Sequence, residues 1–162
     1  MRNACIYWLF FILLFPHIGE AANLVGVASV IDGDTLEIHG QRIRLLGVDA
    51  PESPQYCYLA GGKKWRCGQT AALQLQDFIG NKTVTCEKKG KDRYRRIVAV
   101  CSAAGDDLGA WLVENGWALA YERYSKAYVE HQQRAKAAQA GIWKSPHSIA
   151  FSGNPLCPSR WS

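Results

Sequence analysis

The segment from Asp32 to Glu52 constrains the fold more than any other part of the chain. From Thr35 to His39 the residues alternate, with Leu36 and Ile38 on one face. Gly40-Gln41 reads as a turn. Arg42 to Val48 reads as the return strand, with Ile43 and Leu45 on one face and Arg42 and Arg44 on the other. A period of two over both runs predicts a half-buried antiparallel hairpin, because successive side chains of a strand point to opposite faces. The hairpin is bracketed by Asp32-Gly33-Asp34-Thr35 and Asp49-Ala50-Pro51-Glu52. Two acidic clusters therefore meet at its mouth, and Arg44 is aimed away from the apolar face.

Carboxylates are the preferred ligands of hard cations, and a guanidinium grips phosphate oxygens bidentately without losing its proton. Asp34 and Asp49, with backbone carbonyls and water, form a candidate Ca2+ site. The competing reading of Asp32-Gly33-Asp34-Thr35 is a plain side-chain-stabilised turn. Arg44 has a candidate companion in Arg96, which follows Asp92-Arg93-Tyr94-Arg95. Two guanidiniums balance the charge that builds on a pentacoordinate phosphorus. The alternative for Arg96 is a solvated basic turn, since Lys88, Lys89, Lys91, Arg93 and Arg95 surround it. Glu52 is the candidate general base. It precedes the breakers Pro54, Gly61 and Gly62 rather than a helix, so a helix-end role does not account for it.

Elsewhere the pattern predicts a strand from Leu24 to Ile31 and an irregular loop from Pro51 to Cys67. A helix from Gln69 to Ile79 carries the stripe Ala71, Ala72, Leu75, Phe78 and Ile79. A second hairpin spans Lys82 to Lys88 and Arg95 to Cys101. A short helix capped by Asp106 or Asp107 stops at Gly116, a short strand runs from Trp117 to Tyr121, and an alanine-rich helix runs from Lys126 to Ala140. Strands first and helices last predict an α+β plan, a small closed or partly closed β-barrel with helices on one side. The formal charge of +5 favours anionic partners such as nucleic acid, although solubility alone explains it equally well.

The first 21 residues read as a secretory signal, with Arg2 ahead of an apolar run from Ile6 to Phe15 and small residues at Gly19-Glu20-Ala21. An uncleaved anchor is the alternative. Residues 22–144 form the expected domain and 145–162 a tail. Export to the periplasm or beyond the cell allows disulfides. Cys57 and Cys67 flank the Gly61-Gly62 loop and are placed to close it. Cys86 and Cys101 fall opposite each other if the hairpin turn centres on Asp92 to Tyr94, at the ~4.5–5.5 Å spacing of facing strand residues. Cys157 is left over, free or intermolecular.

Taken in order, Asp32-Gly33-Asp34-Thr35, then Arg44-Leu45-Leu46-Gly47-Val48-Asp49-Ala50-Pro51-Glu52, then Asp92-Arg93-Tyr94-Arg95-Arg96 resemble the thermonuclease family, that of staphylococcal (micrococcal) nuclease. The resemblance runs from about Val25 to Trp143. It implies a five-stranded oligonucleotide/oligosaccharide-binding barrel (OB-fold) with three helices and Ca2+-dependent hydrolysis of DNA and RNA to 3′-phosphate ends. Carried onto this sequence, it implies Asp34, Asp49 and the carbonyl of Ala50 as metal ligands and Glu52 as the water-activating base. Arg44 and Arg96 become the phosphate clamps. Arg93 and Tyr94 fall where the family touches a terminal phosphate, and Tyr121 and Tyr124 where it borders the base. The implied protein is a monomer acting on single-stranded or frayed nucleic acid, with no stable membrane association once the signal is cut. Two departures stand out: Arg95 occupies a position where the family often has glycine, and the loop from Cys57 to Cys67 is long. A non-catalytic strand-binding module and a phosphodiesterase of another substrate class are the competing functional readings.

Overall fold

The computed structural model describes residues 23–59 and 62–144. The expected signal over 1–21, Gly61, Cys157 and the tail over 145–162 lie outside the described residues.

The expected first strand is split. β1 (Leu24–Gly26) and β2 (Ser29–Asp32) are separated by Val27-Ala28. β2 turns through Gly33-Asp34 into β3 (Thr35–Ile38), which pairs antiparallel with β4 (Gln41–Leu45). The turn between β3 and β4 is His39-Gly40 rather than Gly40-Gln41. Both of its residues have positive φ, 51° and 72°, as a two-residue turn matching the strand twist requires. The return strand stops at Leu45. After Leu46-Gly47 the chain forms β5 (Val48–Asp49).

The expected irregular loop contains a hairpin of its own, β6 (Cys57–Tyr58) with β7 (Lys64–Trp65). Helix α1 (Cys67–Ile79) begins two residues earlier than its apolar stripe predicts and buries Cys67, Gly68, Ala71, Leu75 and Ile79. The second hairpin is β8 (Val84–Lys91) with β9 (Ile97–Ala103). Cys86 lies opposite Cys101 in that register and is bonded to it, with Cα atoms 4.1 Å apart. The short strand β10 (Asp106–Asp107) folds back on β9, and the Asp107 carboxylate caps α2 (Leu108–Glu114) by accepting from the Ala110 N–H at 2.9 Å. The last strand shrinks to β11 (Leu119–Ala120), antiparallel to β5. The last helix, α3 (Val129–Ala137), starts three residues later and ends three residues earlier than the expected Lys126 to Ala140, and its end precedes Gln139, which turns left-handed at φ 50°.

The main sheet has the order β1-β8-β9-β4-β3-β2. Its two ends are the halves of one extended segment, so it curls until the chain at Val27-Ala28 joins its edges, while the hydrogen-bond ladder stays open there. Counting β1 and β2 as one broken strand, five strands and three helices make the α+β plan. The core is Leu36, Ile38, Ile43 and Leu45 from the first hairpin, Leu75 and Ile79 from α1, and Leu108, Leu112 and Val113 from α2. Burying each such side chain stabilises the fold by ~1.5–3 kcal/mol. Phe78 of α1 stacks on Trp111 of α2 with ring centroids 4.2 Å apart and ties the two helices together.

Candidate active site

Cross-strand register assembles the first half of the site. Arg44 lies directly opposite Thr35, one residue from the Gly33-Asp34 turn. Its guanidinium therefore reaches Asp34 Oδ2 at 2.7 Å, and it also reaches Asp49 Oδ1 at 3.4 Å. Asp34 and Asp49 are buried, at 5% and 8% exposure, and buried carboxylates persist only when paired and hydrogen-bonded. Asp34 further accepts from the Thr35 hydroxyl at 2.9 Å and the Ala50 N–H at 3.2 Å. Burial works against the Arg44 charge, but the fields of Asp34 and Asp49, a hydrogen bond to Asp34 and then Glu52 outweigh it and raise its pKa.

Arg96 arrives from the other hairpin. β9 runs parallel to β4 with Ile97 beside Ile43, so Arg96, one residue earlier, lies alongside the first hairpin. Its Nη1 sits 3.5 Å from Thr35 Oγ1. Thr35 thus bridges the two arginine sites, giving a continuous run of contacts Arg96, Thr35, Asp34, Arg44, Asp49. Asp92 holds Arg96 in place. One of its carboxylate oxygens accepts from the N–H groups of Tyr94 and Arg96, both at 2.9 Å, and the other from Arg96 Nε at 2.7 Å. Desolvation opposes ionisation of Asp92, but the bonds from Arg96 dominate and hold its carboxyl below the ordinary range. Arg95 does take the left-handed conformation that a glycine would favour, with φ 67°. The turn geometry survives, and Arg96 still points at Thr35.

Glu52 is positioned through its backbone. The Ser53 N–H donates to Asp32 Oδ1 at 3.0 Å, and the Ser53 hydroxyl donates to the same oxygen. Gln55 brackets Glu52, its N–H donating to the Glu52 carbonyl at 2.7 Å and its side-chain oxygen accepting from the Glu52 N–H at 3.2 Å. Behind it, the start of α1 comes so close that a Cβ on Gly68 would lie 1.7 Å from the Glu52 carbonyl oxygen. Gly33 serves a similar close approach, since a Cβ there would lie 2.8 Å from the Ala50 Cβ. Partial desolvation, then repulsion from Asp32 and Asp34, raises the Glu52 pKa, and Arg44 and Arg96 offset part of the rise. The Glu52 carboxylate therefore feels both arginines and both acids of the first turn.

The remaining expected residues lie around this run of contacts. The exposed Tyr94 ring lies near two cations, Arg93 at 4.8 Å and Arg96 at 5.6 Å from its centroid. Tyr121 and Tyr124 meet edge to face, 4.9 Å between centroids, just after β11. That strand places Leu119 opposite Asp49, and the Tyr121 N–H bonds the Gly47 carbonyl at 2.8 Å. The expected disulfide between Cys57 and Cys67 is formed, fixing the loop after Glu52 to the first residue of α1. Sequence reasoning assigns no role to Thr35, Asp92 or Gly68. Asp92 carries a readable signal all the same, because Asp at the start of a turn caps the N–H two residues on.

The donor chemistry at Asp34 and Asp49 fits a hard cation. Both are oxygen ligands brought to one guanidinium, and no cluster of three or more His, Cys, Asp or Glu side chains able to hold a metal occurs among the described residues. Side chains would thus supply only part of a Ca2+ shell, and backbone carbonyls and water, which Ca2+ accepts readily, would complete it.

The family described as staphylococcal nuclease homologue matches residues 42–145. The chain is 44% identical to the succinoglycan biosynthesis protein ExoI of Rhizobium meliloti (strain 1021), covering 82% of this chain and 72% of that one. It is 32% identical to an uncharacterized endonuclease of Haemophilus influenzae over 99% of this chain and 86% of the relative. A micrococcal nuclease of Shigella flexneri is 29% identical over 75% and 74% of the two chains. The five-strand plan with three helices is that of an OB-fold, the architecture of this family. Matched over residues 42–145, the chain belongs to the staphylococcal nuclease family.

Proposed function

We propose that the chain is a Ca2+-dependent nuclease that hydrolyses phosphodiester bonds of DNA and RNA and leaves 3′-phosphate ends. Nuclease activity is what its family and its endonuclease-named relatives support. The single observation that carries the finer reading is the run of contacts from Arg96 through Thr35, Asp34 and Arg44 to Asp49, with Glu52 in its field.

Asp34, Asp49 and the Ala50 carbonyl would hold Ca2+, which supplies Lewis-acid neutralisation of phosphate charge. Glu52 accepts a proton from water as the water oxygen attacks phosphorus, the phosphorus bond to the 5′ oxygen breaks, and the leaving 5′ oxygen takes a proton from solvent water to become a hydroxyl. A carboxylate with a raised pKa suits a general base better than an unperturbed one. Arg44 and Arg96 grip the equatorial oxygens from two directions as their charge grows, where fixed donors have their largest effect. Arg93 and Tyr94 border a neighbouring phosphate, and Tyr121 and Tyr124 offer faces to a base. Single-stranded or frayed substrate fits these ring contacts. The domain would span 22–144, released by cleavage of residues 1–21. Two disulfides in a small domain support a periplasmic or extracellular setting. No helix among the described residues is long and apolar enough to cross a membrane.

Plasmid degradation in Ca2+, in Mg2+ and in chelator tests the proposal. Cutting should require Ca2+ and vanish in chelator, and Glu52→Gln should remove it. Undiminished cutting in chelator, or none in Ca2+, refutes the reading. Binding of strands with no cutting in any buffer moves it to a non-catalytic module.

A further inference from the structure

The hairpin of β6 and β7 has two chemically different faces. Cys57 and Trp65 are cross-strand partners, and they pack with Cys67, Ile142, Leu119 and Trp143. The disulfide to Cys67 fastens this inner face to α1. Because strand side chains alternate, Tyr58 and Lys64 take the outer face, and the residues that flank the two strands, Tyr56 before β6 and Arg66 after β7, are both exposed and meet each other. Tyr58 and Lys64 are directly paired. Lys64 Nζ lies 5.5 Å from the Tyr58 ring centroid, and Arg66 Cζ lies 5.7 Å from that of Tyr56. Both tyrosines are large and nearly half exposed, at 46% and 45%. From Ser53 to Arg66 the chain carries three cations and no acid.

Folding does not require this outer face. The core and the disulfide lie on the inner side, and two exposed rings two residues apart with cations beside them make a patch rather than a scattered single residue, the kind of surface that marks an interaction site. The combination matches single-strand nucleic acid, whose bases stack on rings regardless of sequence while phosphates take the cations. The face also begins beside the reaction centre. Tyr56 follows Gln55, which brackets Glu52 with two hydrogen bonds, and four residues of chain span at most ~14 Å.

We infer that the outer face of this hairpin is a second contact surface for the substrate strand, with Tyr56 and Tyr58 as base platforms and Lys64 and Arg66 as phosphate contacts. The inference rests on the nucleic-acid reading above but not on catalysis. It makes the disulfide-anchored hairpin a substrate arm, favouring strands long enough to reach beyond the reaction centre.

The test measures binding in chelator, where cutting does not interfere. Fluorescent single strands of twelve and of three thymidine nucleotides are titrated against the full folded chain. Tyr56→Ser and Tyr58→Ser should each weaken 12-mer binding about fivefold or more and leave 3-mer binding within about twofold. Tyr56→Trp should retain it. Lys64→Ser with Arg66→Ser should flatten the slope of log Kd against log salt by about 1.4, two contacts at ~0.7 each, and the tyrosine variants should leave the slope unchanged. All four side chains are on the surface, and equal melting temperatures check folding. Unchanged 12-mer affinity in the tyrosine variants, equal losses on both lengths, or no 12-mer binding by the unaltered protein overturns the inference. Tyrosine-dependent binding without cutting in Ca2+ upholds the surface and removes the nuclease reading alone.

Discussion

In the proposed reaction Arg44 and Arg96 share one chemical task, yet the fold holds them in opposite ways. Arg44 sits within β4, and its direction follows from strand alternation and from its register opposite Thr35. The two acids it meets are buried, so it also stabilises the barrel mouth. Arg96 precedes β9, and its aim comes from the side chain of Asp92, the ring of Tyr94 and a left-handed Arg95. A regular element positions a side chain as a by-product of folding. A turn needs dedicated partners to do the same, and their loss harms function before it harms stability.

The largest effects should separate the two arginines. Either Arg44→Met or Arg96→Met should lower kcat by roughly 10²–10³-fold, the usual loss when one fixed donor to a developing oxyanion is removed. Their stabilities should diverge. Without Arg44, the buried carboxylates of Asp34 and Asp49 lose the charge between them, which costs about 3 kcal/mol. Arg96→Met removes the partner of Asp92, which is open to solvent on one side, and should cost under ~1 kcal/mol. Chemical denaturation of both variants beside single-turnover kinetics reads the difference. Equal stability losses would break the comparison.

The same contrast explains what is legible in the sequence. A period of two from Thr35 to Leu45 is enough to place Arg44 opposite the apolar face, because register and alternation are local. The neighbourhood of Arg96 is not derivable that way. It depends on the parallel pairing of β4 with β9, between segments far apart in the chain, and Arg96 meets Thr35 across 61 positions. Only the motif carries it. The β6 and β7 pair escapes a sequence reading because two-residue strands are too short for alternation to register, and Gly62 and Pro54 read as loop. The final helix reads as too long because alanine propensity continues past the left-handed Gln139, which no local preference announces.

A middle-sized effect tests the brace itself. Asp92→Ala removes acceptors from the Tyr94 N–H, the Arg96 N–H and Arg96 Nε. Activity should fall about 10–100-fold through misplacement of a guanidinium that is still present. Stability should fall by only about 1–2 kcal/mol. The pH dependence has a fixed sign. The folded Asp92 carboxyl titrates below its ordinary 3.8, so its contribution is complete above that value and is lost as pH falls through the lower folded value. The stability gap between the unaltered chain and the Asp92→Ala variant should therefore be constant at neutral pH and close in acid, once pH falls below the ordinary 3.8. A gap that widens in acid contradicts the brace.

The smallest effect tests whether the turn is strained at Arg95. A non-glycine residue in the left-handed region costs ~1–2 kcal/mol, and glycine adopts that region freely but loses ~0.4–1 kcal/mol more chain entropy on folding. Arg95→Gly should therefore stabilise the chain by roughly 0.5–1 kcal/mol and raise its melting temperature by a few degrees. Because glycine keeps the left-handed backbone at this position and Asp92 still holds the guanidinium, kcat should change by less than about threefold. The loss of one exposed cation should appear in KM and should fade as salt is raised. Destabilisation by Arg95→Gly would mean that the Arg95 side chain makes contacts worth more than its backbone strain. A large fall in kcat would mean that glycine frees the turn, so that the brace on Arg96 depends on Arg95 as well as on Asp92.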